Sequence, residues 1–384
     1  MTDETGTLQS AAVHEREREA PVRGESARRL TFAGGNEFQV AVHSRIDEYF
    51  RQTGRPRRDS IQLYVKAAAI LTAFVCSYAL LVFFAETWWQ AAPLAVLLGL
   101  TATGIGFNLM HDGGHGAFSR YRLINWMAAR SLDPIGGSSY FWHWKHGVLH
   151  HTYSNITGLD TDIALGKLAR LTPHQTRHAH QRWQHWYIWP LYGVMAIKWH
   201  FYDDFGALLM GGIGPQRIPR PRGKELAIFI GGKALFFSLA FGIPLLYHPW
   251  WVVAFYYGLT TLVLGMALSV VFQLAHCVEE AAFPMPAEST GRVENAWAIH
   301  QVETTVDFCR GNRVVAWLLG GLNFQIEHHL FPRICHSHYP AISALVKETC
   351  RDFGIRYNEH PSFWAGMLSH VRWLRRMGMP ETIG

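Results

Sequence analysis

Eight histidines in this chain stand at spacings that suit metal ligation. His111 and His115 are four apart in His111-Asp112-Gly113-Gly114-His115. His146 and His150 repeat that spacing, and His151 adds a third ring. On a helix, residues four apart share a face, so each pair can offer two imidazoles to one ion. A third group reads Gln325-Ile326-Glu327-His328-His329, with Gln325 on the face of His328 and His329 at spacings of three and four. His276 ends a long apolar run. Imidazole is the commonest protein metal ligand. Eight rings exceed what one zinc ion takes, since zinc is usually four-coordinate, so they imply two ions. The groups hold no thiolate and few carboxylates. A nitrogen-rich dinuclear site that keeps open positions fits redox chemistry with iron better than structural zinc. The soluble di-iron bundles use Glu-x-x-His pairs and bridging carboxylates, a different ligand set.

Other histidines read more plainly. His143 falls off the face shared by His146 and His150 and reads as packing or a surface hydrogen bond. His300 is open between a ligand, a substrate contact and a support for a ligand. His174, His178, His180, His185, His200, His336 and His338 read as interfacial or solvent-facing.

Four apolar runs must position the candidate ligands. Lys66 to Phe84 carries no charge after its first residue, and Ala91 to Met110 carries none. Each is near the ~20 residues a membrane-spanning helix needs. Leu226 to Tyr247 is apolar except for Lys233, and Trp250 to Ala275 is apolar after the His248-Pro249 turn. The expected fold is an all-α membrane protein of two transmembrane hairpins. Its four spans run over about 66–85, 91–110, 226–247 and 250–275. Residues 111–225 and 276–384 then form a His-rich helical cap on one side. The fourth run is longer than the ~30 Å hydrocarbon core, so its end projects from the lipid. Lys233 reads as snorkelling or facing the bundle.

The same topology gathers the ligands. His111 ends the second span and His276 ends the fourth, so both lie at one membrane surface. Arg51, Arg55, Arg57 and Arg58 precede the first span, and Arg217, Arg220, Arg222 and Lys224 the third. Neither hairpin turn carries Lys or Arg. The positive-inside rule therefore places the termini and the histidine groups in the cytoplasm. The Arg217 to Lys224 run reads as this flank, with contact to acidic lipid heads or coenzyme A phosphates as the lesser reading. Phe38, Val42, Ile46, Tyr49 and Phe50 make one stripe of an amphipathic helix over 36–54, lying on the protein or membrane surface. Trp183 to Trp199 reads as interfacial. Residues 1–30 read as a disordered tail, and 31–384 as one membrane domain.

Composition agrees. Charged residues are 17%, against about 25% in ordinary soluble domains, and 15 Trp suit a membrane interface. The five cysteines form no CxxC pair, which excludes a zinc ribbon, a ferredoxin-type cluster and a disulfide scaffold. Nothing in the pattern points to nucleic acid.

Read as HxxxH, HxxxHH and QxxHH, the three groups resemble the histidine boxes of the integral-membrane fatty acid desaturases. The string from Gly320 to Pro332 is close to the branch that includes the front-end acyl desaturases, and Trp297 to Phe308 resembles that branch too. The likeness covers roughly residues 36–360. It implies a non-haem di-iron centre that uses O₂ to remove two hydrogens from adjacent methylenes of an acyl-CoA or acyl-lipid. By this resemblance His111, His115, His146, His150, His151, His276, His328 and His329 hold the two irons. Gln325 takes the place of a ninth histidine in other branches and is read as a weak ligand or a support. Asp112, Glu327 and Asp307 are expected to accept the other ring N–H of a ligand histidine, and Asn323 to act likewise through its amide.

Front-end desaturases commonly carry a fused cytochrome b5 domain with a His-Pro-Gly-Gly signature. His248-Pro249-Trp250 and His360-Pro361-Ser362 do not match it, and neither a G-x-G-x-x-G fingerprint nor an iron–sulfur motif is present. With no haem, flavin or cluster of its own, the enzyme is expected to take electrons from a separate ferredoxin or cytochrome b5 type donor and its reductase. The runner-up is a hydroxylase of a lipid, carotenoid or alkane on the same site. A zinc hydrolase needs fewer ligands. A metal transporter places its ligands nearer mid-membrane.

Overall fold

A computed structural model describes residues 30–380. The expected tail over 1–30 lies, but for Leu30, outside the described residues. Helix α1 (Glu37–Thr53) buries Phe38, Val42, Ile46 and Phe50. Its stripe packs on protein, in one cluster with Ile342 and Val346. Four helices are long and apolar enough to cross a membrane. They are α2 (Ile61–Phe84), α3 (Trp88–Gly114), and, later in the chain, Lys224–Leu246 and Trp250–His276. The last has 27 residues, which at 1.5 Å per residue is ~40 Å, so it outreaches the hydrocarbon core as expected.

Between the hairpins lie α4 (Arg122–Arg130), α5 (Ser139–Trp142) and α6 (Gln184–Lys198). After α5 the chain continues as π-helical turns over His143–His150. Another π turn, Gly106–Met110, leads into His111. Such turns are rare and are frequent at functional sites. Their bonds run from i to i+5, so residues four and five apart both share a face. That is why His146 meets both His150 and His151, with ring centroids 5.1 and 4.9 Å away.

Label the third and fourth spans α7 (Lys224–Leu246) and α8 (Trp250–His276). The segment expected to be interfacial, 183–199, instead lies along the middle of α8. A Cβ on Gly265 would sit 2.5 Å from the carbonyl oxygen of Gly193, and the His200 ring is 2.9 Å from the Tyr257 hydroxyl. Small residues let the two backbones approach this closely. Here, too, three expectations are corrected. His200, His336 and His338 are buried rather than interfacial or solvent-facing, at 2%, 6% and 7% exposure. His200 is enclosed by α6, α7 and α8. The other two lie where the chain after the third box folds back on the first span.

Lys233 faces the bundle. It is buried, and its ammonium pairs with Asp204 at 2.8 Å and donates to the Gly136 carbonyl at 2.7 Å. A cavity of 880 Å³ opens between the spans, lined among others by Phe74, Tyr78, Ala102, Phe236, Tyr257 and Leu264. Ile105, Met110, Leu268 and Trp142 pack in one cluster with Phe74, Ala102 and Leu264 of its lining, and the Trp142 ring also stands 5.7 Å from His111 and 5.4 Å from His115.

The cap closes with α9 (Trp297–Glu303), α10 (Gln325–Leu330), α11 (Tyr339–Asp352) and α12 (Phe363–Gly378). Among the described residues, strands are confined to three two-residue pairs. One of them, Asp307–Phe308 beside Glu359–His360, runs parallel. Gly320 positions α10. It holds φ +60°, and a Cβ there would lie 2.3 Å from the Phe107 carbonyl oxygen. Only glycine combines that conformation with such close approach to the second span.

Candidate metal centre

The structure brings all eight box histidines together. His111 comes from the end of α3, His276 from the end of α8, and His328 and His329 from α10. His115, His146, His150 and His151 complete the set from the chain after α3 and after α5. His111 and His115 stand 4.8 Å apart between centroids. His328 lies 4.4 Å from His111. His150 lies 4.6 Å from His276 and 5.0 Å from His329. Ligand atoms gather in three overlapping groups, each within 4.8 Å: His111/His115/His146/His328, His150/His276/His329, and His151/His328/His329.

The nitrogens are desolvated and face one another. Nε2 of His146 lies 3.2 Å from Nε2 of His111 and 3.3 Å from Nε2 of His151. Nε2 of His115, His150, His328 and His329 is buried without a hydrogen-bond partner. Each such unpaired group costs ~1–3 kcal/mol. Convergent orphaned lone pairs are what bound cations relieve, so the residues fit a metal centre. Burial pushes His115, His151, His328 and His329 well below the ordinary imidazole range, and neighbouring rings add to the shift. Neutral imidazole is the ligating form. His150 differs. Burial opposes its charge, but Asp160 and Asp162 together outweigh burial and raise it.

The supporting residues are mostly not the expected ones. His150 donates from Nδ1 to Asp160 Oδ2 at 2.9 Å, and His329 from Nδ1 to Gln301 Oε1 at 2.7 Å. Both rings therefore keep Nε2 for the cluster. Asp162 lies 3.9 Å from His146 and His150 and pairs with Lys145 at 2.7 Å. Asp112 accepts from His336 at 2.8 Å instead, tying the first box to the chain after the third. Asp307 and Glu327 both accept from the Tyr357 hydroxyl, at 2.5 and 2.9 Å. Burial and the adjacent Asp307 push the Glu327 carboxyl well up. Asn323 donates to the Phe308 carbonyl at 3.1 Å. Asp307, Glu327 and Asn323 brace the loop and helix that carry the third box; none of the four bonds a box imidazole through its side chain. The reason is direction: Glu327 and Asp307 point off the ligand face of α10. His300 stands outside the cluster, bonded through Nε2 to the Ser154 carbonyl at 2.9 Å. The Gln325 amide lies 3.0 Å from His276 Nε2. Asp160 and Asp162 had one sequence signal, a pair of carboxylates shortly after the second box. Gln301 had only its place beside His300.

Residues 86–361 match the fatty acid desaturase family. This chain belongs to that family. It is a fatty acyl desaturase, an oxidoreductase, as the three boxes implied. The desaturase is similar to the sn-1 linoleoyl-lipid 6-desaturase of Arthrospira platensis, at 35% identity over 92% of this chain and 96% of the relative. It is 34% identical to the enzyme of that name from Synechocystis, over 92% and 99%. An acyl-lipid (8-3)-desaturase of Physcomitrium patens is 35% identical over 91% of this chain and 73% of the relative. The family is membrane-bound, which agrees with the four apolar helices.

Asp160 is the supporting residue with the clearest geometry, since its two oxygens also accept from the Asn155 and Asp162 amides, at 3.0 and 2.9 Å. Loss of such a partner typically lowers metal affinity or activity 10–100-fold. Asp160→Asn is expected to lower metal retention and desaturation by about that range, with the protein still folded. Metal analysis after dialysis beside product yield checks this; full retention of both would remove Asp160 from the centre.

Proposed function

We propose that this enzyme inserts a double bond into an acyl-lipid chain at a centre of two irons. His111, His115, His146 and His328 would hold one ion and His150, His276 and His329 the other, with His151 between them. The observation that carries this is the pair of rings, His150 and His329, whose Nδ1–H is fixed by an acceptor while Nε2 faces the cluster unpaired. Eight nitrogens exceed a single zinc site. The relatives, linoleoyl-lipid and acyl-lipid desaturases, support a lipid-borne acyl chain as substrate.

When bound, the irons supply the activation of O₂ by which two vicinal hydrogens are removed. The overall balance is –CH₂–CH₂– + O₂ + 2 e⁻ + 2 H⁺ → –CH=CH– + 2 H₂O. The protein's own task is positional. Asp160 and Gln301 fix ring orientation. Met110, Leu268 and Trp142 give the centre apolar surroundings that exclude water. The cavity next to that cluster is of a size that takes small ligands and would receive the distal end of the chain. The two electrons would come from a ferredoxin or cytochrome b5 type donor. Basic residues before the first and third spans support a cytoplasmic side for the histidines. Residues 31–384 act as one membrane domain.

The test is expression in a host of known lipids and mass spectrometry of fatty acid methyl esters. A new ester lighter than its precursor by two hydrogens is expected, its fragments giving the bond position. Purified protein should carry near two irons per chain. An oxygenated product would support the hydroxylase reading, and an active zinc-only protein would overturn the iron centre.

A further inference from the structure

A basic surface lies beside the histidine cluster. Three segments meet there: the loop ahead of α2, the chain after the first box and the chain after the third. The Asp59 amide donates to the Phe118 carbonyl at 3.2 Å and the Cys335 amide to the Arg57 carbonyl at 2.9 Å. Arg58 donates through Nε to the Arg333 carbonyl at 3.2 Å. Arg57 pairs with Asp47, and Arg120 with Asp59 at 2.9 Å. Among the described residues, no carboxylate lies within ion-pair distance of Arg55, Arg58 or Arg122. Arg58 is partly buried. Burial, then Arg333 and Arg57, hold its guanidinium below the ordinary range. A partly desolvated arginine among other arginines is a seat for an anion.

Helix α4 shows what kind of anion. Arg120, just ahead of it, pairs with Asp59 next to the start of α2. Arg130 at its end pairs at 2.8 Å with Glu225 in the first turn of α7. So α4 lies across the ends of the first and third spans, in the plane of the membrane surface. It buries Asn125 and Ala128 inward. Leu123, Trp126 and Met127, at spacings of three and one, remain 66%, 44% and 59% exposed. A short helix with an apolar face outward and arginines at its rim is built for the boundary of headgroups and acyl chains. A water-soluble acidic protein would leave that face uncovered.

We propose that Arg58, with Arg55 and Arg122, binds the phosphodiester headgroup of an anionic phospholipid of the bilayer. The apolar face of α4 rests among the acyl chains beside it. The bound lipid then sits at the membrane surface next to the metal centre. Each basic side chain at an anionic surface is worth about fivefold in affinity, so removing two should cost roughly 25-fold.

The full chain is reconstituted in nanodiscs of phosphatidylcholine doped with phosphatidylglycerol. It is then exchanged into detergent, and retained lipid per protein is read by native mass spectrometry. Wild type is expected to retain phosphatidylglycerol in preference to phosphatidylcholine. Arg58→Gln/Arg122→Gln should lose that preference by tenfold or more, and Arg58→Lys/Arg122→Lys should keep most of it. Arg182→Gln, a remote exposed arginine, should behave as wild type. Metal content of each variant shows whether it is folded; should the glutamine pair misfold, a loss of preference in Arg55→Gln decides the matter. The proposal is overturned if wild type shows no preference, or if the folded glutamine pair retains it. It is also overturned if that pair keeps its lipid and loses only reduction by an acidic ferredoxin, which would make the surface a donor site. Because the readout is retained lipid, its failure leaves the desaturase reading intact.

Discussion

His150→Ala is expected to abolish desaturation, by more than about 100-fold, and to release bound metal. Its ring is fully buried and touches four other box histidines, His146, His151, His276 and His329. The loss of a partner behind a ligand already costs 10–100-fold. Loss of the ligand itself removes one nitrogen from a group of three and leaves Asp160 buried without the ring N–H it holds. The effect should fall on turnover and metal content together. The measurement is methyl-ester yield in the expression host beside metal per chain in the purified variant, with size-exclusion behaviour as the control for folding. A variant that keeps its full metal and more than a tenth of wild-type product would take His150 out of the ligand set.

Asp204→Ala is expected to destabilise the protein by about 3–5 kcal/mol, the usual consequence of stripping one partner from a buried ion pair. Asp204 and Lys233 are 2% and 5% exposed. Asp204 also accepts from the Trp199 indole at 3.0 Å. Without its carboxylate, the Lys233 ammonium keeps the Gly136 carbonyl and a weaker contact to the His200 carbonyl at 3.4 Å. It lies in the third span, where a bare charge is costly. The pair also pins the end of the helical segment after α6 to α7, so its loss loosens the wall of the inter-span cavity. Unfolding in mixed micelles, titrated with denaturing detergent, measures the difference. The double variant Asp204→Leu/Lys233→Met should recover most of it, because no unpaired charge remains. A single variant within 1 kcal/mol of wild type would show that water reaches Lys233.

Some of this was legible in the sequence because it follows from local rules. Hydropathy and length gave four spans, found within a few residues of the expected limits. Only the third and fourth runs needed the interruption at His248-Pro249 to be told apart. The i, i+4 spacing of histidines, with two of them at span ends, identified the boxes before any coordinate. The α1 stripe likewise followed from helical periodicity.

What the sequence could not supply were pairings between distant segments. Asp160 is ten residues from His150 and Gln301 is 28 from His329; no periodicity links them, and both were missed. Asp112, Glu327 and Asp307 have the right chemistry and lie near ligands in the chain, yet packing turns them to His336 and Tyr357. His336 and His338 read as interfacial or solvent-facing, whereas the fold-back onto the first span encloses them. The 183–199 segment looked interfacial from its Trp and Tyr content, but Gly193 and Gly265 let it sink along α8. Sequence by itself determined the elements and the ligand types, since these depend on the character of neighbouring residues. Tertiary structure decided the orientation of each ligand and the partner of each buried charge, since a desolvated polar group takes whichever partner the fold brings within hydrogen-bond reach.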